Sequence, residues 1–288
     1  MRYLTFVLLA VFFTCNAQVE RSKIVDEGGS GPYPAFAVTE STLRNFVIYR
    51  PQNLHESVKK SGQLPVIIFA NGGCSDTSLE YERILTELAS HAYIVIALGE
   101  MLDSFDDRPQ NTAPNSMIIE GLDWISAQAQ SKNSEYFQMA DLRNVAFAGH
   151  SCGGAQILAV ANDPRVDTFM MFNSGMGEMT MADASKASLQ NVHVPIIYIV
   201  GGQTDIAAAN AELDYQYISH VPVALANLPN GGHSGTFNQA YGGTFGKLAL
   251  VWLDWRLKNK VANAAIFLDK DSASFTDWQL KAKNFIGQ

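Results

Sequence analysis

The chain has 288 residues, 47% hydrophobic and 17% charged, with 28 Asp and Glu against 20 Lys and Arg. That composition suits one large globular domain, and no Pro-, Ser- or charge-rich linker, internal repeat or low-complexity tract divides it. The acidic balance and the lack of any basic stripe exclude nucleic acid as an expected partner and leave small or uncharged substrates.

In chain order, Met1 to Phe13 carries one basic residue and then an apolar run, followed by Thr14-Cys15-Asn16-Ala17. This predicts a secretory signal peptide over 1–17, cut after Ala17, with 18–288 as a single catalytic domain. The run is too short for a bilayer, which takes about 20 apolar residues, and no other segment is expected to span a membrane. Lipid attachment at Cys15 is the rival reading, but Phe13-Thr14 makes a poor lipoprotein signal. The segment holds one of the 20 basic residues and none of the 28 acidic ones, so cleavage moves the net charge from −8 to −9. It also leaves Cys74 and Cys152, an even count in an oxidising compartment.

Residues 18–34 are polar and rich in Gly and Pro and read as a loop. Extended runs over 35–39 and 45–49, joined through Thr39-Glu-Ser-Thr42, predict a hairpin. Pro65 to Ala70 is continuously apolar, as in a strand buried on both faces of a parallel sheet. Thr77-Ser-Leu-Glu80 fits a capping box, with Tyr81, Ile84, Leu85 and Leu88 at helical spacing behind it. Residues 92–98 form a second buried strand, 99–114 an acidic, solvated rim loop, and 116–129 a helix. Strands over 144–148, 166–172, 195–200 and 221–228 alternate with helices over 155–161, 206–218 and 244–258. The alternation predicts an α/β class: a mostly parallel central sheet with helices on both faces, built from right-handed βαβ units. Ligands of such sheets bind beyond the carboxyl ends of the strands, so the residues just after each strand matter most.

Three of those ends carry chemistry. Gly149-His150-Ser151-Cys152-Gly153 is G-x-S-x-G between strand and helix, the setting of a strained nucleophile turn. Gly201-Gly-Gln-Thr-Asp205 follows the 195–200 strand, and Gly231-Gly-His233-Ser-Gly235 follows the 221–228 strand. A Ser hydroxyl needs a base to take its proton, an imidazole titrates near neutrality, and a carboxylate fixes the imidazole tautomer. Ser151, Asp205 and His233 are therefore the expected nucleophile, acid and base. Asp214, mid-helix, is the alternative acid. His193 and His220 precede their strands, and His55 and His91 lie in connections. His150 is expected to pack beside the turn. Asn71-Gly72-Gly73-Cys74 follows the strand whose loop supplies one oxyanion donor, and the other is the N–H after the nucleophile. This predicts Gly73 and Cys152, with Gly72 or Cys74 as neighbouring choices for the first.

These motifs resemble a secreted serine esterase of the α/β-hydrolase superfamily over roughly residues 31–258. Gly31-Pro-Tyr-Pro34 and the short connections further resemble the dienelactone hydrolase and cutinase-like polyesterase branch. Gly73-Cys74 stands where that branch often has an aromatic or bulky residue. The resemblance implies a carboxylic ester hydrolase working through an acyl-enzyme, without cofactor or metal and expected as a monomer. Cap domains of this fold are commonly inserted where this chain has only residues 173–194, so an open cleft is expected, suited to bulky or polymer-borne esters. Acyl groups on polysaccharide, small esters and polyesters all remain open. A secreted peptidase or amidase, or a catalytically silent binding protein, are the alternatives. Met176, Met179 and Met181 either line an apolar acyl site or fill core gaps, and Met170 and Met171 are better suited to the core. Because both oxyanion loops aim N–H groups at one oxygen, Cys74 and Cys152 are brought together, which permits a disulfide clamp. Two separately buried thiols are the other outcome. Asp269 and Asp271 read as a solvated turn rather than a metal site.

Overall fold

The structure, a computed structural model, describes residues 18–107, 111–268 and 275–285. The expected signal segment with Cys15, and the pair Asp269 and Asp271, lie outside the described residues.

The chain opens with β1 (Val19–Lys23), β2 (Ala35–Glu40), β3 (Leu43–Pro51), α1 (Leu54–Ser61) and β4 (Leu64–Ala70). Next come α2 (Glu82–Ser90), β5 (Ile94–Leu98), α3 (Ser116–Gln130), β6 (Ala140–His150), α4 (Cys152–Ala159) and β7 (Thr168–Phe172). After the short pair β8 (Thr180–Met181) and β9 (Ala184–Ser185) follow β10 (Ile196–Val200), α5 (Ala208–Tyr217) and β11 (Val223–Asn227). The described chain closes with α6 (Gly243–Lys258), α7 (Ala264–Leu268) and β12 (Gln279–Lys283). Ten strands form one sheet in the order β1-β2-β3-β5-β4-β6-β7-β10-β11-β12. From β5 to β11 neighbours run parallel, and the outer pairs are antiparallel. This is the mostly parallel sheet of an α/β-hydrolase fold, as expected.

The continuous apolar runs have a direct cause. Successive side chains of a strand point to opposite faces, and here both faces are covered. Val66, Ile68, Ile96, Val145, Phe147, Phe169 and Tyr198 meet α3, α4 and α5 in one core. Ile67, Phe69, Ala97, Ala146, Ala148, Ala224 and Ala226 meet α2, α6 and α7 in the other. The small alanines on that second face make room for Trp252 and Trp255 of α6, which are buried there. At about 25 cal/mol per Å² of apolar surface removed from water, these layers dominate the stability.

Several local expectations are corrected. Residues 18–34 are not all loop, because Val19–Lys23 pairs with β2 as an edge strand. An edge strand open to water on both faces needs no apolar alternation, and four of its five residues are exposed. β12, at the opposite edge, has one exposed and four half-buried residues, with Leu280 and Ala282 against the second core. The capping box at Thr77 does not form. Thr77 Oγ1 donates to Glu100 O at 3.0 Å and Ser78 Oγ pairs with Tyr49 Oη at 2.8 Å, both turned inward. A 3-10 turn, Leu79–Tyr81, precedes α2 instead. The predicted 35–49 hairpin is present as β2 and β3. Residues 173–194 hold only the β8–β9 pair and a 3-10 segment, Lys186–Asn191. Among the described residues no helix is long and apolar enough to cross a membrane.

Candidate active site

Ser151 closes β6 and precedes α4 with φ 50° and ψ −116°. A non-glycine residue at positive φ is strained. The turn holds because its backbone is tied: Ser151 N–H donates to Phe172 O at 2.9 Å, and Ser151 O accepts from Gly154 N–H at 3.0 Å and Ser174 Oγ at 2.8 Å. The flanking glycines are required by contact. A Cβ on Gly149 would sit 2.4 Å from Gly153 O, and one on Gly153 would sit 2.1 Å from Ala70 O.

His233 Nε2 lies 3.0 Å from Ser151 Oγ, and its Nδ1 lies 2.7 Å from Asp205 Oδ1. A carboxylate only accepts, so Nδ1 carries the hydrogen and Nε2 is free to accept from Ser151. Asp205 is 3% exposed and fully committed. Its Oδ1 also accepts from Ala207 N–H at 3.0 Å, and its Oδ2 from Gly201 N–H at 2.9 Å and Asn173 Nδ2 at 2.8 Å. The alternative acid is elsewhere: Asp214 accepts from the backbone of Met176 and Gly177 at 2.7 and 2.8 Å, and burial raises its pKa. His193 and His220 bond to Ala161 O and Val192 O, at the amino ends of the strands. His91 meets Glu87.

Gly73 has φ 63°, is exposed, and has open space where a Cβ would stand. Cys152 is the first residue of α4, so its N–H has no acceptor within the helix. Gly72 N–H is committed to Tyr81 Oη at 3.0 Å, which leaves Gly73 or Cys74 to face Cys152. Cys74 and Cys152 are joined by a disulfide with Cα atoms 5.1 Å apart, tying this loop to the start of α4. Asn71 Nδ2 holds the same loop from below through Ser75 O at 2.9 Å and Leu98 O at 2.7 Å. Cys74 O accepts from Ala113 N–H at 2.8 Å, so the far end of the 99–114 loop braces the site rather than only rimming it. Asp103, Asp106 and Asp107 of that loop are exposed, as expected.

Met170, Met171 and Met176 are core residues, and Met181 is half-buried. Met179 is 46% exposed on the strand-end side, where its Sδ accepts from Asn210 Nδ2 at 3.0 Å. A cavity of about 720 Å³ lies among Pro65, Asp141, Arg143 and Lys258, at the opposite end of the sheet from Ser151. Among the described residues no group of three or more His, Cys, Asp or Glu could hold a metal ion.

Residue-by-residue reading missed Asn173, Tyr81 and the use made of His150. Asn173 was findable: it is the first residue after β7, a strand end like the other three. Tyr81 reads as a helix-face aromatic, and nothing local marks its hydroxyl.

The sheet and the strand-end turn of Ser151 define a hydrolase of the α/β type. The chain belongs to the chlorophyllase family, whose model matches residues 19–187. That family is one of carboxylic ester hydrolases, so the chain is a serine ester hydrolase at the level of its family, and the superfamily-level expectation is met. The matched span includes the 71–74 loop and Ser151 and ends before Asp205 and His233. No curated protein matches the chain.

Proposed function

We propose that the protein is a secreted carboxylic ester hydrolase with Ser151 as nucleophile, His233 as general base and Asp205 as the acid that orients it. The observation carrying this reading is the unbroken line from Ser151 Oγ through His233 to Asp205, at 3.0 and 2.7 Å. Ser151 Oγ attacks the ester carbonyl carbon as its proton passes to His233 Nε2. Asp205 stabilises the imidazolium and does not itself take the proton. The carbonyl oxygen becomes an oxyanion facing the N–H groups of Gly73 and Cys152, which need no reorganisation at the moment of reaction. His233 then protonates the leaving alcohol oxygen, and the acyl group stays on Ser151. Water, deprotonated by His233, releases the acid by the same steps in reverse.

Export through the 1–17 segment is supported by the Cys74–Cys152 disulfide, which suits an oxidising compartment. The short 173–194 segment supports an open cleft and hence bulky or polymer-borne esters. The test is a panel of nitrophenyl esters of rising chain length beside peptide anilides, with a fluorophosphonate probe located by mass spectrometry. Ester turnover with the probe on Ser151 supports the reading. Preference for anilides makes the protein a peptidase or amidase, and no reaction with either makes it a binding protein.

A further inference from the structure

Behind Ser151 a second chain of hydrogen bonds crosses the site. Gly72 N–H lies 3.0 Å from Tyr81 Oη, Tyr81 Oη lies 2.8 Å from His150 Nδ1, and His150 Nε2 lies 2.8 Å from the backbone oxygen of His233. The direction of every bond is forced. The His233 carbonyl can only accept, so His150 Nε2 carries the hydrogen. Burial pushes the His150 pKa down to about 4, so the ring is neutral and Nδ1 is an acceptor. Tyr81 must then donate to Nδ1, which leaves its oxygen lone pairs for Gly72 N–H. Both side chains are sealed in, Tyr81 at 2% and His150 at 4% exposure. Phe69 and Phe237 pack on Tyr81, and Phe237 also packs on His150. A Cβ on Gly72 would sit 2.3 Å from His150 Nδ1 and 2.5 Å from Tyr81 Oη, so the close approach requires glycine there.

We infer that Tyr81 and His150 are positioning residues that hold the 71–74 oxyanion loop and the His233 loop in one fixed relation around Ser151. The inference rests on the triad reading above. Neither side chain touches the reacting atoms. Each end of the link is one residue or less from a group that does: Gly72 precedes Gly73, and the His233 carbonyl belongs to the base itself. A tetrahedral intermediate needs its oxyanion donors and its base placed together, and misplacement of about 1 Å costs on the order of 100-fold in rate.

The two nitrogens of His150 can be tested separately. In His150→Asn the amide oxygen stands near the Nδ1 position and still accepts from Tyr81, but the side chain falls short of the His233 carbonyl. In His150→Gln the amide nitrogen reaches the Nε2 position and keeps the His233 bond, but Tyr81 loses its acceptor. Tyr81→Phe removes the single oxygen that Gly72 uses. Steady-state kinetics with a nitrophenyl ester and the rate of fluorophosphonate labelling at Ser151 are measured for each, with circular dichroism for folding. His150→Asn and Tyr81→Phe are expected to lower kcat by roughly 10- to 100-fold with KM nearly unchanged. His150→Gln breaks the same link at the Tyr81 side and is expected to show a loss comparable to that of His150→Asn. Tyr81→Phe combined with His150→Asn should fall less than the product of the singles, because one link is broken twice. Should His150→Asn not fold, Tyr81→Phe carries the same test alone. Folded variants with wild-type kcat, or losses that appear only in KM, overturn the positioning role while leaving the triad in place. Wild-type protein that does not react at Ser151 overturns the triad and this role together.

Discussion

Cys74 and Cys152 stand 78 residues apart in sequence and 5.1 Å apart between Cα atoms, bonded to each other across the two backbone segments that flank Ser151. One follows Gly73 and the other follows Ser151, so the bond spans the two expected oxyanion donors. Closing a loop of this length is worth about 4 kcal/mol in the chain-entropy model. Cys74→Ser with Cys152→Ser should therefore lower stability by up to about that amount. It should also lower kcat, because loosened donors must be reorganised during reaction. Denaturant melts and kinetics on the folded variant measure the two effects. Mature protein that is unfolded without reductant should show no free thiol, and two titrating thiols would exclude the bond.

Replacing the proposed nucleophile gives the sharpest kinetic result. Ser151→Ala should abolish acyl-enzyme formation, leaving at most the residual acceleration from binding and the oxyanion hole, roughly 10³-fold over water. Burst kinetics and probe labelling report it. Full activity in the variant, or probe on another residue, removes Ser151 from the mechanism.

Asn173 bonds at once to Asp205 Oδ2 at 2.8 Å and to Gly232 O at 2.9 Å, joining the proposed acid to the residue before the proposed base, His233. Its φ is 42°, a conformation Asn and Asp tolerate better than most residues. Asn173→Asp therefore keeps the backbone but sets a second carboxyl against Asp205, where like charges cannot both ionise comfortably. We expect kcat/KM for esters to fall by roughly tenfold or more with the fold retained. Unchanged kcat/KM would mean that Asp205 is held well enough by Gly201 and Ala207.

Away from the site, Glu40 supplies a pH test of the fold. It is 1% exposed, its Oε1 accepts from Tyr136 Oη at 2.7 Å, and burial raises its pKa to about 7. The ordinary value is 4.5. Between 4.5 and about 7 the folded protein keeps a proton that the unfolded chain has released, so this contribution to stability is lost as pH rises through that window. The size is on the order of 3 kcal/mol at 1.36 kcal/mol per pH unit. Glu40→Gln, permanently neutral, should narrow the difference in Tm between pH 5 and pH 8 relative to wild type. An unchanged or wider difference would show that Glu40 titrates normally.

The amino-acid sequence alone determined the sheet and its chemistry-bearing ends. Continuous apolar runs such as Pro65–Ala70 have only one use, burial on both faces, and strand–helix alternation then dictates parallel pairing. Ser151, Asp205 and His233 were legible as candidates because each comes within five residues of the end of a predicted strand, so knowing the strand narrows the search to one short turn. Polar edge strands such as Val19–Lys23 were not legible, because pairing at a sheet edge is a property of the partner β2 and leaves no apolar pattern. Nor did local sequence tell Asp205 from Asp214 by environment. That depended on which backbone N–H groups and which imidazole each carboxylate met after folding. The bond between Cys74 and Cys152 was one of two outcomes until the loops were packed. The Gly72–Tyr81–His150–His233 chain had no sequence signature at all. Hydrogen-bond direction and burial arise between residues far apart in sequence, and only the packed tertiary structure sets them.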